Sequence, residues 1–225
     1  YKRGAGRAPG HWQKVATRIP STSASNTYGW LGQFPKLTEW VGDRAVKDMK
    51  EHGYVVTNKL YEGTVGVKRT DIEDDNLGIY APMFEEMGYA AATHPDELVF
   101  GLLGKGFSTN CYDGQFFFDK DHPVAVNVDG TGGNATVSNL IDAAESPESK
   151  TPWYLLDVSR TLKPLIFQER TSPELQAITD GKNDTVFMKD QYLYGVRYRC
   201  NVGFGFWQQA VAVRDDLTAA TFEKA

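Results

Sequence analysis

Histidines and carboxylates fall close together at two places, and metal or acid–base chemistry would be sought there first. One is "HPDE", with His94, Asp96 and Glu97, and the other is "DKDHP", with Asp119, Asp121 and His122. His94, Asp96, Asp119, Asp121 and His122 are nominally enough for a metal-dependent hydrolase. Neither motif has the pair of histidines at i and i+4 that sets two imidazoles on one helix face around zinc. Pro95 suits re-entry into a helix with Asp96 and Glu97 as first-turn acids, and "DHP" reads as a turn closing a strand. A third acidic stretch, "DIEDDNLG" from Asp71, begins like a calcium loop. Its turn glycine misses the sixth position, and Pro82 stands at the twelfth, where a bidentate Glu is needed. Asp74 and Asp75 are explained instead by the N-terminus of a following helix, whose free N–H groups and dipole favour carboxylates. "GAGRAPG" has a passing look of a dinucleotide loop, but no strand precedes it and Pro9 takes the last glycine's place. No Gly-x-Ser-x-Gly elbow, Walker loop or Cys–His pairing occurs. The residues offer no catalytic group, no metal site and no cofactor site.

Charge is more telling in its distribution than in its total of −5. The first twenty residues carry Lys2, Arg3, Arg7, Lys14 and Arg18 and no acid. Residues 71–97 carry Asp71, Glu73, Asp74, Asp75, Glu85, Glu86, Asp96 and Glu97 and no Lys or Arg. The basic segment has Tyr1 and Trp12 for stacking on a nucleic-acid strand. The acidic stretch offers it a nearer counterpart, and the pairing of the two points to self-association between copies. Cys111 and Cys200 match no zinc or redox spacing and read as reduced, buried thiols of a cytosolic product. No run of about 18 apolar residues exists, so no membrane-spanning helix is expected. The chain opens on Tyr1 and not Met, which reads as a trimmed N-terminus.

The elements follow from periodicity. Residues 1–29 are rich in Gly, Ser, Thr and Pro with few large apolar side chains, and read as an extended arm. Trp30, Phe34 and Trp40 are aromatic anchors. Residues 53–69 are β-prone, but neither alternating set is cleanly apolar, so the ribbon is expected to project and lean on another body. Ile79, Met83, Met87, Ala90 or Ala91, Leu98 and Leu102 recur at helical spacing. A continuous helix over residues 79–105 would be about 40 Å long, with Pro95 as a kink or a second start. Residues 107–126 read as short strands and turns, and "WYLLDV" and "PLIFQER" as apolar strands. In the run from Tyr192 to Phe206 the even positions are apolar or aromatic and the odd ones include Arg197, Arg199 and Asn201, which marks a half-buried strand. Gly203 and Gly205 are expected to bend it or to form a bulge.

Several longer stretches have a specific look: "PSTSASNTYGWLGQFPKLTEWVGDR", "DIEDDNLGIYAPMFEEMG", "HPDELVFGLL", "CYDGQFFFDKDHPV", "LKPLIFQ" and "YGVRYRCNVGFGFWQ". In this order, over nearly all of residues 20–222, the sequence resembles the Mu-like phage major head subunit family. The resemblance implies an α+β chain with the Hong Kong 97-like phage capsid fold, shared with tailed-phage heads and encapsulins. It implies an N-terminal arm over 1–39 and an extended loop with a peripheral-domain strand over 40–70. A peripheral domain with its spine helix would follow over 71–106, an axial domain over 107–191, and a long return strand with the start of a further segment over 192–225. Family members usually continue further, so the axial domain is expected to be incomplete, with open sheet edges.

The implied function is a non-enzymatic major capsid protein that packs into pentamers and hexamers of an icosahedral head around double-stranded DNA. DNA would be held only nonspecifically; scaffold, portal and decoration proteins would be further partners. Lys2, Arg3 and Arg7 are expected to meet acids of a neighbouring copy among Asp71, Glu73, Asp74 and Asp75. Val55 and Val56 of the extended loop are expected to contact another chain. The rivals are an encapsulin-like compartment of the same fold and the metal-dependent hydrolase above.

Overall fold

The computed structural model describes residues 1–29, 31, 53–74, 78–126 and 133–225. The expectations for Trp30, Phe34, Trp40, Asp75 and the part of the extended loop before Gly53 lie outside the described residues. The chain opens with α1 (Lys2–Ala5), α2 (Trp12–Val15), β1 (Ala16–Pro20) and β2 (Ser25–Thr27). Then come β3 (Val55–Thr57), β4 (Lys59–Lys68), α3 (Arg69–Glu73) and α4 (Tyr80–Gly104). After a compact run of turns follow β5 (His122–Ala125), β6 (Asn134–Val137), β7 (Leu140–Asp142) and β8 (Trp153–Leu156). The last part holds β9 (Leu165–Ile178), α5 (Asp184–Lys189), β10 (Gln191–Phe204), β11 (Ala210–Arg214) and α6 (Ala219–Lys224).

The long antiparallel pair β9–β10 is the backbone of the molecule. It sits inside a sheet of order β1-β9-β10-β4, and at about 3.3 Å per residue each 14-residue strand is about 46 Å long. The even positions of β10 turn inward as the alternation predicts: Val196, Tyr198, Cys200 and Phe204 are buried, and Arg197 is exposed. The irregularity lies elsewhere than expected. Register slips between Arg197 and Cys200 fall opposite Arg170, Ser172 and Pro173 of β9, where proline has no N–H for the ladder. Gly203 serves a close approach instead, since a Cβ there would lie 2.6 Å from Val56 Cγ2.

The ribbon 53–69 does not project. β4 pairs antiparallel with β10 from Lys59↔Cys200 to Lys68↔Gln191. Its inward set is Tyr61, Gly63, Val65 and Val67, an apolar face interrupted by one glycine, and that interruption hid it from the pattern. The segment 1–29 is likewise not a free arm. β1 runs parallel to β9, Ala16↔Leu165 through Pro20↔Glu169, and Trp12 and Ala16 enter the core. A segment that lacks its own apolar mass is stabilised here by the ladder and core of the rest of the chain.

Helix α4 has 25 residues, so about 37 Å of length at 1.5 Å per residue, and runs through Pro95 without a break. Its buried face is Gly88, Pro95, Val99 and Leu103, about one residue round from the expected methionine stripe. Ile79 is exposed. The helix presents Phe84 to Tyr194, with ring centroids 4.5 Å apart, and His94 to Tyr61 at 4.3 Å. Beyond the helix, Phe117 stacks on Phe204 at 4.2 Å and 11°, joining the turns after α4 to the end of β10. A second sheet of order β7-β11-β8 closes that end of the core.

Phe117 and Phe204 are both fully buried, so Phe117→Ala should destabilise the subunit by about 3–5 kcal/mol through lost burial and a residual cavity. Chemical denaturation of unassembled subunits measures it; a loss below about 1 kcal/mol would contradict this placement of the core.

Candidate assembly interface

The N-terminal segment lies on α4 by backbone contact. A Cβ on Gly4 would stand 1.8 Å from the Glu85 carbonyl oxygen, and one on Gly88 would stand 2.1 Å from the Tyr1 carbonyl oxygen. Only glycine at both places lets the two backbones touch. That docking carries Arg3 and Arg7, one helical turn apart, over a single carboxylate. Arg3 lies 3.4 Å and Arg7 3.1 Å from Glu85. Both guanidiniums are largely exposed, so each pair is worth at most about 1 kcal/mol, and the glycine contact sets the position. Further along, the Asp96 carboxylate accepts the Trp12 N–H at 2.6 Å and the His11 N–H at 3.3 Å, at the start of α2. Trp12 then packs on Phe167, centroids 4.4 Å apart. Arg18 pairs with Glu169 on the neighbouring strand.

These positions are contacts within one chain. Within the chain, the acid that meets Arg3 and Arg7 is Glu85, because the glycine docking holds α1 above the first turns of α4. Lys2 remains exposed. Val56, expected against another chain, is 4% exposed inside its own core. β3 pairs with β2 through Asn26↔Val56, and strand alternation turns Val56 in toward Gly203 while Val55 faces solvent. Asp71 and Glu73 lie within α3, where Glu73 pairs with Arg69 at 2.7 Å. Asp74 is the C-cap of α3 and does not cap α4, whose N-cap is Ile79. Gly78, at φ +61, turns the chain between the two helices.

The residues of the hydrolase reading are dispersed among unrelated tasks. His94 packs on Tyr61, and its Nε2 is buried without a hydrogen-bond partner among the described residues. Asp96 holds α2. Asp119 accepts the Phe116 and Lys120 N–H groups, and Asp121 is exposed. His122 alone joins a cluster, with two residues that the motifs did not single out, Cys111 and Asp113. Asp113 stands in the middle. One of its oxygens accepts His122 Nδ1–H at 2.7 Å; the other accepts the Cys111 thiol at 3.0 Å and the Gln115 N–H at 3.1 Å. Asn139 fixes the far side. Its Nδ2 donates to the carbonyls of Phe117, Trp207 and Ala210, so its Oδ1 accepts from Asp119 N–H and faces His122 Nε2 at 3.2 Å. The imidazole also stacks on Trp207 at 3.9 Å.

This arrangement suits a buried strut and not a nucleophile. The carboxylate separates thiol from imidazole, and burial, reinforced by Asp113, pushes the Cys111 thiol well above its usual range. Cys200 is also free and buried, its thiol pushed up to about 12 by burial and then by Glu169. Burial alone would raise Asp113, but its hydrogen bonds from His122, Cys111 and the Gln115 N–H, with the charge of His122, hold it below the usual carboxylate range. Asp142 is held low as well, first by hydrogen bonds from Arg214 at 2.7 and 2.9 Å, against burial, and then by Lys120 at 2.7 Å. Sequence pattern missed the strut because a turn over residues 111–116 and a distant asparagine assemble it.

Comparison with known proteins places the geometry in context. The family model described as Mu-like prophage major head subunit gpT matches residues 1–225. The Mu-like prophage FluMu major head subunit of Haemophilus influenzae is 53% identical over 225 residues, covering 100% of this chain and 73% of that protein. The major capsid protein of Escherichia phage Mu is 55% identical over 218 residues, 97% of this chain and 71% of that one. A subunit from the solved procapsid of bacteriophage JBD30 superposes with a TM-score of 0.86 at 60% identity, over 99% of this chain and 75% of that one. The fold is therefore the phage capsid fold of the Hong Kong 97 type.

Two outcomes follow. Gly88→Ala should displace residues 1–15 from α4, read as faster amide exchange or proteolysis there with β9 and β10 unaffected; an unchanged pattern contradicts the docking. Asp113 and Asp142 have folded pKa values below the unfolded value of about 3.9. Their stabilisation is thus complete above that value and lost as pH falls through the folded one. Denaturation of Asp113→Asn should show a deficit at pH 7 that shrinks below about pH 4, and a deficit constant with pH would refute the linkage.

Proposed function

The chain belongs to the Mu-like prophage major head subunit family, and from that premise we propose that its copies build the icosahedral head shell of a tailed phage. One observation supports this most directly. Among the described residues, Leu60 is 59%, Ile79 63%, Phe187 78% and Met188 79% exposed, large apolar side chains that a free monomer would leave in water. Contacts with copies would cover such side chains, at about 800 Å² per partner for a standard interface.

The proposed roles follow the elements. Residues 1–39 act as the arm and 40–70 as the extended loop with its peripheral strand. Residues 71–106 form the peripheral domain on α4, residues 107–191 belong to the axial domain at the centres of pentamers and hexamers, and residues 192–225 return through the sheets. Val55 and the exposed acids Asp71, Glu73 and Asp74 remain available to neighbours, with Lys2 as a free cation of the arm. Mechanism here is geometric and non-enzymatic: closed symmetry covers edges such as that of β4, which pairs on one side with β10 among the described residues. Net charge of −5 suits a wall that encloses DNA without gripping it. Assembly would take place in the host cytoplasm with scaffold and portal proteins, and the product would be part of the virion. An encapsulin-like compartment is the second reading, favoured by the shared fold alone.

Negative-stain microscopy of the purified protein should show closed particles of uniform diameter, and dispersed compact monomers at high concentration would overturn the proposal. Particles from phage-producing cells should protect double-stranded DNA from nuclease; protein cargo in its place would favour the compartment.

A further inference from the structure

Among the described residues, one group of thiol, carboxylate and imidazole converges tightly enough to hold a metal ion. The ligand atoms of Cys111, Asp113 and His122 all lie within 4.8 Å of one another. Asn139 sets the hydrogens of this group. Its Nδ2 donates to the carbonyls of Phe117, Trp207 and Ala210, so its Oδ1 can only accept. His122 Nε2, 3.2 Å from that oxygen, therefore carries the hydrogen of the ring. Nδ1 of the neutral ring is then a bare lone pair, aimed at an Asp113 oxygen 2.7 Å away. Two acceptors that close need a positive charge between them, and that charge is either a second ring proton or a metal cation.

We infer that Cys111, Asp113 and His122 form a structural site for a divalent transition-metal ion of the zinc type. Sulfur, imidazole nitrogen and carboxylate oxygen are the donors zinc takes, at about 2.3, 2.0 and 2.1 Å. Around a tetrahedral ion such donors stand about 3.3–3.6 Å apart. The hydrogen-bonded contacts of 2.7 and 3.0 Å would thus open only slightly. A bound ion sends the thiol proton and the Nδ1 proton to water and leaves a thiolate and a neutral ring. It brings two positive charges, so the group is neutral overall with either the protons or the ion. That balance matters because His122 is fully buried and Cys111 is 5% exposed. The surroundings also serve an ion. Asn139 fixes the ring through Nε2–H, as the outer partner of a metal-bound histidine does. The Gln115 N–H holds Asp113 at 3.1 Å, and Gly114, at φ +88, makes the turn on which Cys111 and Asp113 meet. A site closed to solvent admits no substrate, so the ion ties the turn over residues 111–116 to the start of β5.

The test uses dispersed full chains, so its outcome does not depend on the shell reading. Chains unfolded with a chelator and refolded with Zn2+ should keep about one ion each after dialysis. Refolding with Co2+ in its place should give a thiolate-to-cobalt absorption band. Cys111→Ser should remove that band and weaken Zn2+ binding by more than the about 10–100-fold that loss of an outer partner costs. Cys200→Ser should leave both unchanged, since Cys200 lies outside the group. A serine hydroxyl can still donate to Asp113, so metal-free Cys111→Ser should melt where the metal-free unaltered chain does. Zn2+ should then raise the melting temperature of the unaltered chain alone. If the serine variant does not fold, the cobalt band of the unaltered chain decides by itself. No retained zinc and no cobalt–thiolate band, or a band that survives Cys111→Ser, would overturn the site and leave a proton between His122 and Asp113.

Discussion

Surface that one chain cannot bury is the constraint on which the rest of this structure depends. The long antiparallel pair, the 25-residue helix and the hairpin tip carry Ile178, Phe100, Phe187 and Met188 exposed, apolar side chains that the chain's own core does not cover. Each element is stabilised by something distant in sequence. β1 completes a ladder on β9, β4 completes one on β10, and α4 is covered in part by the first fifteen residues. Such mutual support leaves few elements able to hold their shape alone, and it leaves the perimeter unfinished.

Within the subunit, backbone proximity outranks charge. Gly4 and Gly88 place the N-terminal segment on α4, and the Arg3 and Arg7 pairs with Glu85 follow from that placement. Asp96 acts with them by holding the start of α2. At the other end of α4, the buried group of Cys111, Asp113, His122 and Asn139 ties a turn-rich segment to Trp207 and Ala210 without any regular ladder. Buried polar groups that are fully hydrogen-bonded specify one arrangement of such a segment, because any alternative leaves a charge unpaired.

What was legible in the amino acids alone had strong local periodicity or long-range wording. The helix over residues 80–104 and the inward set Val196, Tyr198, Cys200 and Phe204 were both plain, and the six quoted stretches carried the family. The orientation of α4 was not, because hydropathy favours Met83 and Met87 while the docked face needs the missing side chain of Gly88. Gly63 concealed the inward face of β4 in the same way. Val56 looked available until its partner strand was known, since alternation says which residues share a side but not which side is inside. Asp96 read as a first-turn acid, and its service to Trp12, 84 residues away, has no local signal. The Asp113–His122 pair was equally silent, being set by a turn and by Asn139.

The most direct measurement is amide hydrogen exchange on dispersed subunits and on assembled particles of the same protein. Completion of each perimeter by its siblings predicts new protection along the free edge of β4 and at α5, with the β9–β10 ladder unchanged. Identical protection in the two states would mean that assembly covers none of the surface argued to require it, and the account would fail.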